Sequence, residues 1–490
     1  IFIDDANTQI RNLLAVLNRN AENKNKNIKI VLTVRDYAKD AVIDACTHLK
    51  PAVVSVLKLS DSVIEQILKS PDINVADVQV LERIVELCDG NARLAIMCAR
   101  VYLENNDISY LKDVSTIYDE YYSKYFKDNL IFTDISVLKT LGILSYFHAI
   151  DMRSPEDLEI LARFKLSHET FIEVIQKLED KEIVDIYMKD TVKIADQVLA
   201  TYLFYKVFIV DKKLDFLIIL QNYFQKYSFR MHEAIKPSVS AFGITNTIVP
   251  LTTELNKYWK QVKNDNSGAV QYLNVFGKYY ADHAFPFFKK YIEELPKPKG
   301  KPIRYNMAWL NFGSYNLIER ILAEFFDSED KYEISTAIDL NIEYCRKVSE
   351  GLEEVIKTMH ENFRIKDTDV GNGLMRQSLL FEKLLQLKPL DKLYTKLFYK
   401  TMQKTVLNTH FINEAYTKEN DEWRLIPSLQ NLRVMVWNEL IKDYIRNREL
   451  LNGILVDYIK EIYHTQYIIL NFDYDNILRL IKSKLNKKYY

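Results

Sequence analysis

Glycine and proline number only 11 each in the 490 residues of this chain. Average usage is roughly 7% and 5%, so the two residues that turn a backbone most sharply are in short supply. Sandwiches, propellers and disordered linker proteins all need more of them. Long helices joined by short loops do not, and a mainly α fold is expected. A length prior of about 150 residues per domain gives about three domains, and 48% hydrophobic residues suffice for several cores. The 32 Tyr and 24 Phe, at helical spacing, read as core filler.

Charge and cysteine usage narrow the setting. With 66 Lys+Arg against 67 Asp+Glu the net charge is −1, which leaves no whole-chain basic field for nucleic acid or a membrane surface. Cys46, Cys88, Cys98 and Cys345 form no C-x-x-C pair and read as reduced thiols of a cytoplasmic protein. No apolar run approaches the ~20 residues of a membrane span. The chain opens at Ile1 inside an apolar run, without Met or a signal peptide. The expectation is a fragment whose beginning is missing.

The first sixty residues carry the chemistry. Ile1-Phe2-Ile3 ends in Asp4-Asp5, and Ile10, Leu13, Leu14 and Leu17 follow at helical spacing. After a polar stretch from Asn18 to Asn27, Ile28 to Val34 reads as a second, buried strand ending at Arg35. Strand, helix, strand is the βαβ unit of a parallel sheet, whose ligands sit at the carboxyl ends of the strands. An acid at such a tip can hold Mg²⁺, and a second acid can orient or deprotonate a water. An arginine at the neighbouring tip can reach a γ-phosphate with its planar fork. That is half of a nucleotide-hydrolysing site, although two acids after an apolar run also fit a plain strand end and turn. The other half, G-x-x-x-x-G-K-[ST], is absent from the sequence. Lys297 to Pro302 has the wrong spacing and prolines in place of amide donors. In P-loop proteins the phosphate loop precedes the acidic strand, so its expected place is before Ile1.

Downstream, Ser60 reads as an N-cap before Val63, Ile64, Ile67 and Leu68, and Val80 to Leu87 and Leu94 to Val101 give two more amphipathic helices around a stop at Asp89-Gly90-Asn91. From 131 to 208 the order is helix, helix, helix, hairpin. The first helix carries Val137, Leu138, Leu141 and Leu144; Ser154-Pro155 starts the second and Ser167 the third. Lys189-Asp190 turns the hairpin. This is the pattern of a winged helix. Its third helix region holds Glu169, Glu173, Glu179, Asp180 and Glu182 against Lys177 and Lys181, so DNA recognition, which needs positive charge, is disfavoured. From 211 onward amphipathic helices recur at irregular spacing, with breaks at 264–268, 296–302, 327–331, 367–373 and 419–422, and an α-solenoid is expected. His232, His283, His360, His410 and His464 have no ligand spacing. The basic loop Lys297–Arg304 and the tail Lys482–Lys488 read as solvated faces.

Three stretches, Ile1 to Asn7, Lys29 to Tyr37 and Cys88 to Ala95, together resemble the STAND class, the signal-transduction ATPases with numerous domains. The likeness is to bacterial antiviral STAND proteins, relatives of animal and plant NLR immune receptors. It covers roughly the first 100 residues, and more weakly the chain to about residue 208. The resemblance implies that ATP and Mg²⁺ are bound. Asp4 would be the Walker B magnesium ligand, Asp5 the acid that positions water, and Arg35 the residue reading the γ-phosphate. Gly90-Asn91-Ala92 falls where the family has a Gly-x-Pro turn against the adenine, with Ala92 departing from the proline. Relatives often place a His against the ADP phosphate in the winged helix; Lys193 to Gln197 resembles that region but has none, and Asp196 is expected to cap a helix instead. The implied layout is 1–59 as the C-terminal remnant of a parallel α/β P-loop NTPase core, 60–130 a helical lid, 131–210 a winged helix, and 211–490 a helical-repeat sensor. The implied function is an immune switch that self-associates when the repeats recognise a phage protein. Two other readings fit the residues: a DNA-binding winged-helix initiator or transcriptional ATPase, and a non-enzymatic α-solenoid scaffold.

Overall fold

Helices carry most of the fold, as the poverty in turn residues requires. The computed structural model of the protein describes residues 2–3, 30–34, 52–54, 58–88, 90–127, 133–187, 190–296, 317–348, 353–407, 416–419, 422–465 and 471–484. The chain divides into two compact units, Ile1–Val275 and Phe276–Tyr490. Among the described residues no helix is long and apolar enough to cross a membrane.

The first unit begins with two short strands, β1 (Phe2–Ile3) and β2 (Val31–Leu32), paired in parallel with Phe2 opposite Val31 and Ile3 opposite Leu32. The pairing is the one the sequence order predicts. The expected burial is not found: Phe2 is 66% and Val31 57% exposed. Exposure alternates along β2, with Val31 exposed and Leu32 half-buried, and parallel strands become fully buried only where helices cover both faces. The helix expected over Ile10 to Leu17 lies outside the described residues.

Four helices follow: α1 (Asp61–Leu68), α2 (Val78–Cys88), α3 (Ala92–Asn105) and α4 (Val114–Lys127). Three were expected; α4, rich in tyrosine, is the addition. Ile64 and Leu68 of α1, Val80, Leu81 and Ile84 of α2, and Leu94, Ala95, Met97, Cys98 and Val101 of α3 are buried. They recur at three- and four-residue spacing, which puts each set on one helix face. Ser60 sits at the N-cap of α1 with extended backbone, but its hydroxyl meets that of Ser62 at 3.0 Å and makes no cap hydrogen bond.

The next segment holds α5 (Ile135–Phe147), β3 (Ile150–Asp151), α6 (Pro155–Arg163), α7 (His168–Glu179), β4 (Val184–Tyr187), β5 (Thr191–Ile194) and α8 (Gln197–Phe204). Each helix start is written locally. Asp134, Ser154, Ser167 and Asp196 cap α5, α6, α7 and α8 through side-chain oxygens, and Pro155 stands at the first position of α6. β4 and β5 form the expected hairpin, and β3 adds a third strand on the other side of β5. A two-residue strand gives no period to read, which is why the sequence does not reveal β3. α5 packs on α7, α8 and β5.

α8 runs on as a π-helix over Tyr205–Val210, and α9 (Phe216–Asn222), α10 (Ser228–Thr247) and α11 (Thr252–Val262) follow, with α12 (Asn266–Phe276) ending at the division. α10 contains Pro237 and breaks at Gly243 (φ +79°, ψ 161°), a conformation only glycine adopts freely. α10 packs on α5 and α8, so helices beyond residue 210 share the first unit's core.

The second unit contains α13 (Ala281–Glu294), α14 (Leu317–Ala323), α15 (Lys331–Val348), α16 (Glu353–Asn362), α17 (Asp367–Gly371), α18 (Met375–Leu387), α19 (Lys392–Met402), α20 (Pro427–Asp443), α21 (Arg448–Thr465) and α22 (Asn471–Lys484). Packing is between neighbours in the chain: α15 on α13, α14, α16 and α18, and α19 on α16, α18 and α21. Of the stripe expected over Leu317, Ile318, Ile321, Leu322 and Phe325, all are buried except Leu317, which is half-buried. Two expected breaks are structured instead. Residues 367–373 hold the single turn of α17, and Glu419 and Glu422 pair at the tip of a hairpin, β6 (Tyr416–Glu419) with β7 (Glu422–Leu425). On α21 the buried face is Leu451, Ile454 and Tyr458, while Val456 and Ile459 point outward.

Candidate functional site

The residues singled out for nucleotide chemistry fall into two groups. Asp4, Asp5 and Arg35 lie outside the described residues. What is described beside them is the parallel register of β1 and β2, which aligns the carboxyl ends of the two strands.

Gly90, Asn91 and Ala92 are described in full. Gly90 has φ +74°, and a Cβ there would come within 2.7 Å of the Leu59 carbonyl oxygen and 2.8 Å of the Lys58 Cβ. Both the torsion and the close approach demand glycine. The Gly90 carbonyl accepts a hydrogen bond from the Leu59 N–H at 3.1 Å. Asn91 is the N-cap of α3: its side-chain oxygen accepts from the Leu94 N–H at 3.1 Å, and its own N–H donates to the Cys88 carbonyl at 2.8 Å. Ala92 is the first residue of α3, the position where helices favour proline. The turn is therefore a helix start pressed against the backbone of residues 58–59, with the Gly90 carbonyl and the Asn91 side chain already engaged.

One residue further on, Arg93 donates a short hydrogen bond to Asp196. The two are 103 positions apart. A cation in the first turn of a helix opposes the helix dipole, whereas an N-cap aspartate is favoured by it. Asp196 fills that second role as expected, accepting from the N–H groups of Val198 at 2.7 Å and Leu199 at 3.1 Å through one oxygen while the other takes Arg93. The ion pair thus joins the Gly90–Ala92 turn to the stretch Lys193–Gln197.

Rings from α4 and α8 pack beside this pair. Tyr122 stacks on Tyr202 with centroids 5.3 Å apart, and Tyr118 meets Tyr202 at 6.1 Å and the edge of Phe242 at 5.2 Å. Phe242 in turn stacks on Tyr205 at 3.9 Å. Burial pushes the Tyr118 phenol up to about 12 and raises that of Tyr122 further, with Asp196 adding to both and Arg93 opposing. Neither ring ionises in the physiological range, so these tyrosines act by packing. The Cys98 thiol is also pushed up to about 12 by burial, with Cys88 adding to it, which makes it an inert core residue.

Arg93 and the tyrosines of α4 and α8 are absent from the sequence-based site. Arg93 left one trace, a positive charge at the wrong end of a helix. The tyrosines left none, because rings at helical spacing look the same in any core. No family model matches the chain, and neither the curated proteins nor the solved structures contain a match.

Proposed function

We propose that the chain belongs to an ATP-dependent switch of the STAND class, acting in prokaryotic immunity in the cytoplasm. The observation that carries this reading is the Arg93–Asp196 contact. It links two stretches, Gly90–Ala92 and Lys193–Gln197, that one family resemblance places near the nucleotide, the second without the His that relatives carry there. The order of elements from α5 to α8, with its three-stranded antiparallel sheet, supports the winged-helix reading of 131–210. The exposed face of α7 carries Glu169, Glu173 and Glu179, which favours packing against protein over binding DNA.

In this reading Asp4 holds Mg²⁺, Asp5 positions the attacking water and Arg35 meets the γ-phosphate. The Gly90–Ala92 turn meets the adenine by packing and by its remaining backbone groups, since its cap and carbonyl bonds are taken. Magnesium-bound ATP supplies the phosphoanhydride whose hydrolysis resets the switch. The helices of the second unit, stacked on their chain neighbours, supply the surface that captures a phage protein, after which the lid and winged helix part and copies self-associate. Moving such a switch from 1:99 to 99:1 takes a ~10⁴-fold preference between states, about 5.5 kcal/mol.

The decisive observation is the reading frame upstream of Ile1. A G-x-x-x-x-G-K-[ST] loop within about 100 residues is expected, and a frame without one overturns the class. In the intact protein, Arg35→Ala should weaken ATP binding while sparing ADP, measured by calorimetry. Equal losses for both nucleotides would remove Arg35 from the γ-phosphate.

A further inference from the structure

The helix that ends the described chain is docked in an unusual way. Of the α22 side chains described, Asp473, Asn476 and Leu480 are buried, while Tyr474 and Ile481 are exposed. Two of the three inward side chains are polar. α20, against which Asp473 sits, buries Leu429, Leu432, Val436 and Leu440 instead.

Asp473 is fully buried, and both its oxygens are engaged. One accepts from an Arg433 Nη at 2.6 Å, the other from the Trp437 indole N–H at 2.8 Å. Arg433 and Trp437 are four residues apart on α20 and so share a face. Arg433 is itself anchored: its Nε donates to the Val406 carbonyl at 3.1 Å and its other Nη to the Leu407 carbonyl at 2.6 Å. Those carbonyls close the π-helix Gln403–Leu407 that extends α19, the end of a helix where a cation is favoured. Arg433 and Trp437 therefore form a carboxylate receptor held in place from behind.

We infer that α22 is a releasable latch, kept shut by Asp473 seated in the Arg433–Trp437 receptor. Three features lead there. Among the described α22 side chains Leu480 is the one buried apolar residue, with Ile477 and Leu478 half-buried. A buried ion pair repays much of its attraction in lost hydration, so Asp473 regains water on leaving and release is cheap compared with unfolding the unit. Arg433 keeps its two carbonyl bonds when Asp473 departs, so the receptor outlives the opening. The inference stands apart from nucleotide binding and is tested without it.

Native-state hydrogen exchange on the full chain reads it directly. The α22 amides should exchange through an opening that leaves α20 protected. Asp473→Ala should speed α22 exchange on the order of 100-fold with α20 unchanged. Asp473→Asn, which keeps an acceptor for the indole, should give a smaller acceleration. A synthetic peptide of residues 471–484, added to the Asp473→Ala chain, should bind and shift the Trp437 emission, and the same peptide carrying Ala for Asp should not. Exchange of α22 and α20 at one common rate, loss of both together in either variant, or unchanged α22 protection in Asp473→Ala would each overturn the latch.

Discussion

In the first unit the charges that shape the fold stand at helix ends. Asp134, Asp196 and Asp215 cap α5, α8 and α9 from within two or three residues of the N–H groups they satisfy. The interior between them is mostly aliphatic and aromatic, with Glu233, near Arg230 and His148, the one buried charged residue among those described there. In the second unit charges go inside. Arg376 binds Asp369 through two donors at 2.7 and 3.0 Å and also reaches the Phe326 carbonyl at 3.0 Å. Lys388 lies between Glu439 and Asp443, 2.8 Å from the latter. Arg433 and Asp473 have no exposed side-chain surface at all. Arg433 spans 40 positions to its acid, and Lys388 spans 51. The contrast teaches that a helix start is specified by its own neighbours, whereas the stacking of one helix on another is specified by a polar clasp from far along the chain. A buried clasp selects one docked arrangement, because a misaligned docking would leave a charge unpaired in a poor solvent.

The largest expected effect breaks a clasp. Arg433→Met strands Asp473 and should cost the second unit about 3–5 kcal/mol in urea unfolding. Arg433→Met with Asp473→Leu should recover most of that. A single variant costing under about 1 kcal/mol would mean the pair does not organise the unit.

Next is Gly90. Gly90→Ala must abandon the left-handed torsion or collide with Leu59, and the expected loss is about 1–3 kcal/mol. It should be read as faster exchange in α2 and α3, since the turn joins them.

pH sharpens the comparison through His148, a half-buried imidazole of the first unit. Burial, and then Arg230, push His148 down to about 3, with Glu233 facing it at 3.7 Å. The folded imidazole stays neutral while the unfolded one takes up a proton below about 6.5. The contribution is therefore complete above that pH and is lost as pH falls toward 3, by about 1 kcal/mol per unit. His283 and His360 are also lowered by burial, so the measurement is the difference in slope between wild type and His148→Gln from pH 6.5 to 5. Identical slopes would sink the assignment. Asp369 and Asp443 are likewise held below the usual carboxylate range by Arg376 and Lys388, against the opposing effect of burial. Their stabilisation is present above the unfolded carboxylate value and is lost only at more acid pH, outside that interval.

The smallest effect is at the candidate site. Arg93 and Asp196 are 51% and 34% exposed, and an ion pair so open to water contributes about 0–1 kcal/mol. Arg93→Ala should leave the melting temperature within a few degrees. A larger drop would show that the pair, rather than the tyrosine packing, holds α3 to α8.

Much of the first unit was legible in the sequence because its signals are local. Ser154-Pro155 and Ser167 start their helices where they should, Gly90 stops one, and Val184–Tyr187 pairs in register with Thr191–Ile194. Legibility failed where the signal was short or shared. β3 is two residues long, and α17 a single turn. The tyrosines of α4 carry no mark that separates core from contact surface. On α21 the apolar residues outnumber the buried ones, and periodicity alone could not choose Leu451, Ile454 and Tyr458 over Val456 and Ile459.

Composition and spacing by themselves settled the mainly helical class, the helix caps at Ser154, Ser167 and Asp196, the hairpin and most of the aliphatic faces, because each depends on residues within a turn or two of one another. Tertiary structure alone decided that Arg93 meets Asp196 and that Arg433 encloses Asp473. Such pairings depend on how helices stack, and stacking is fixed by burial and desolvation summed over surfaces that no short window of sequence contains.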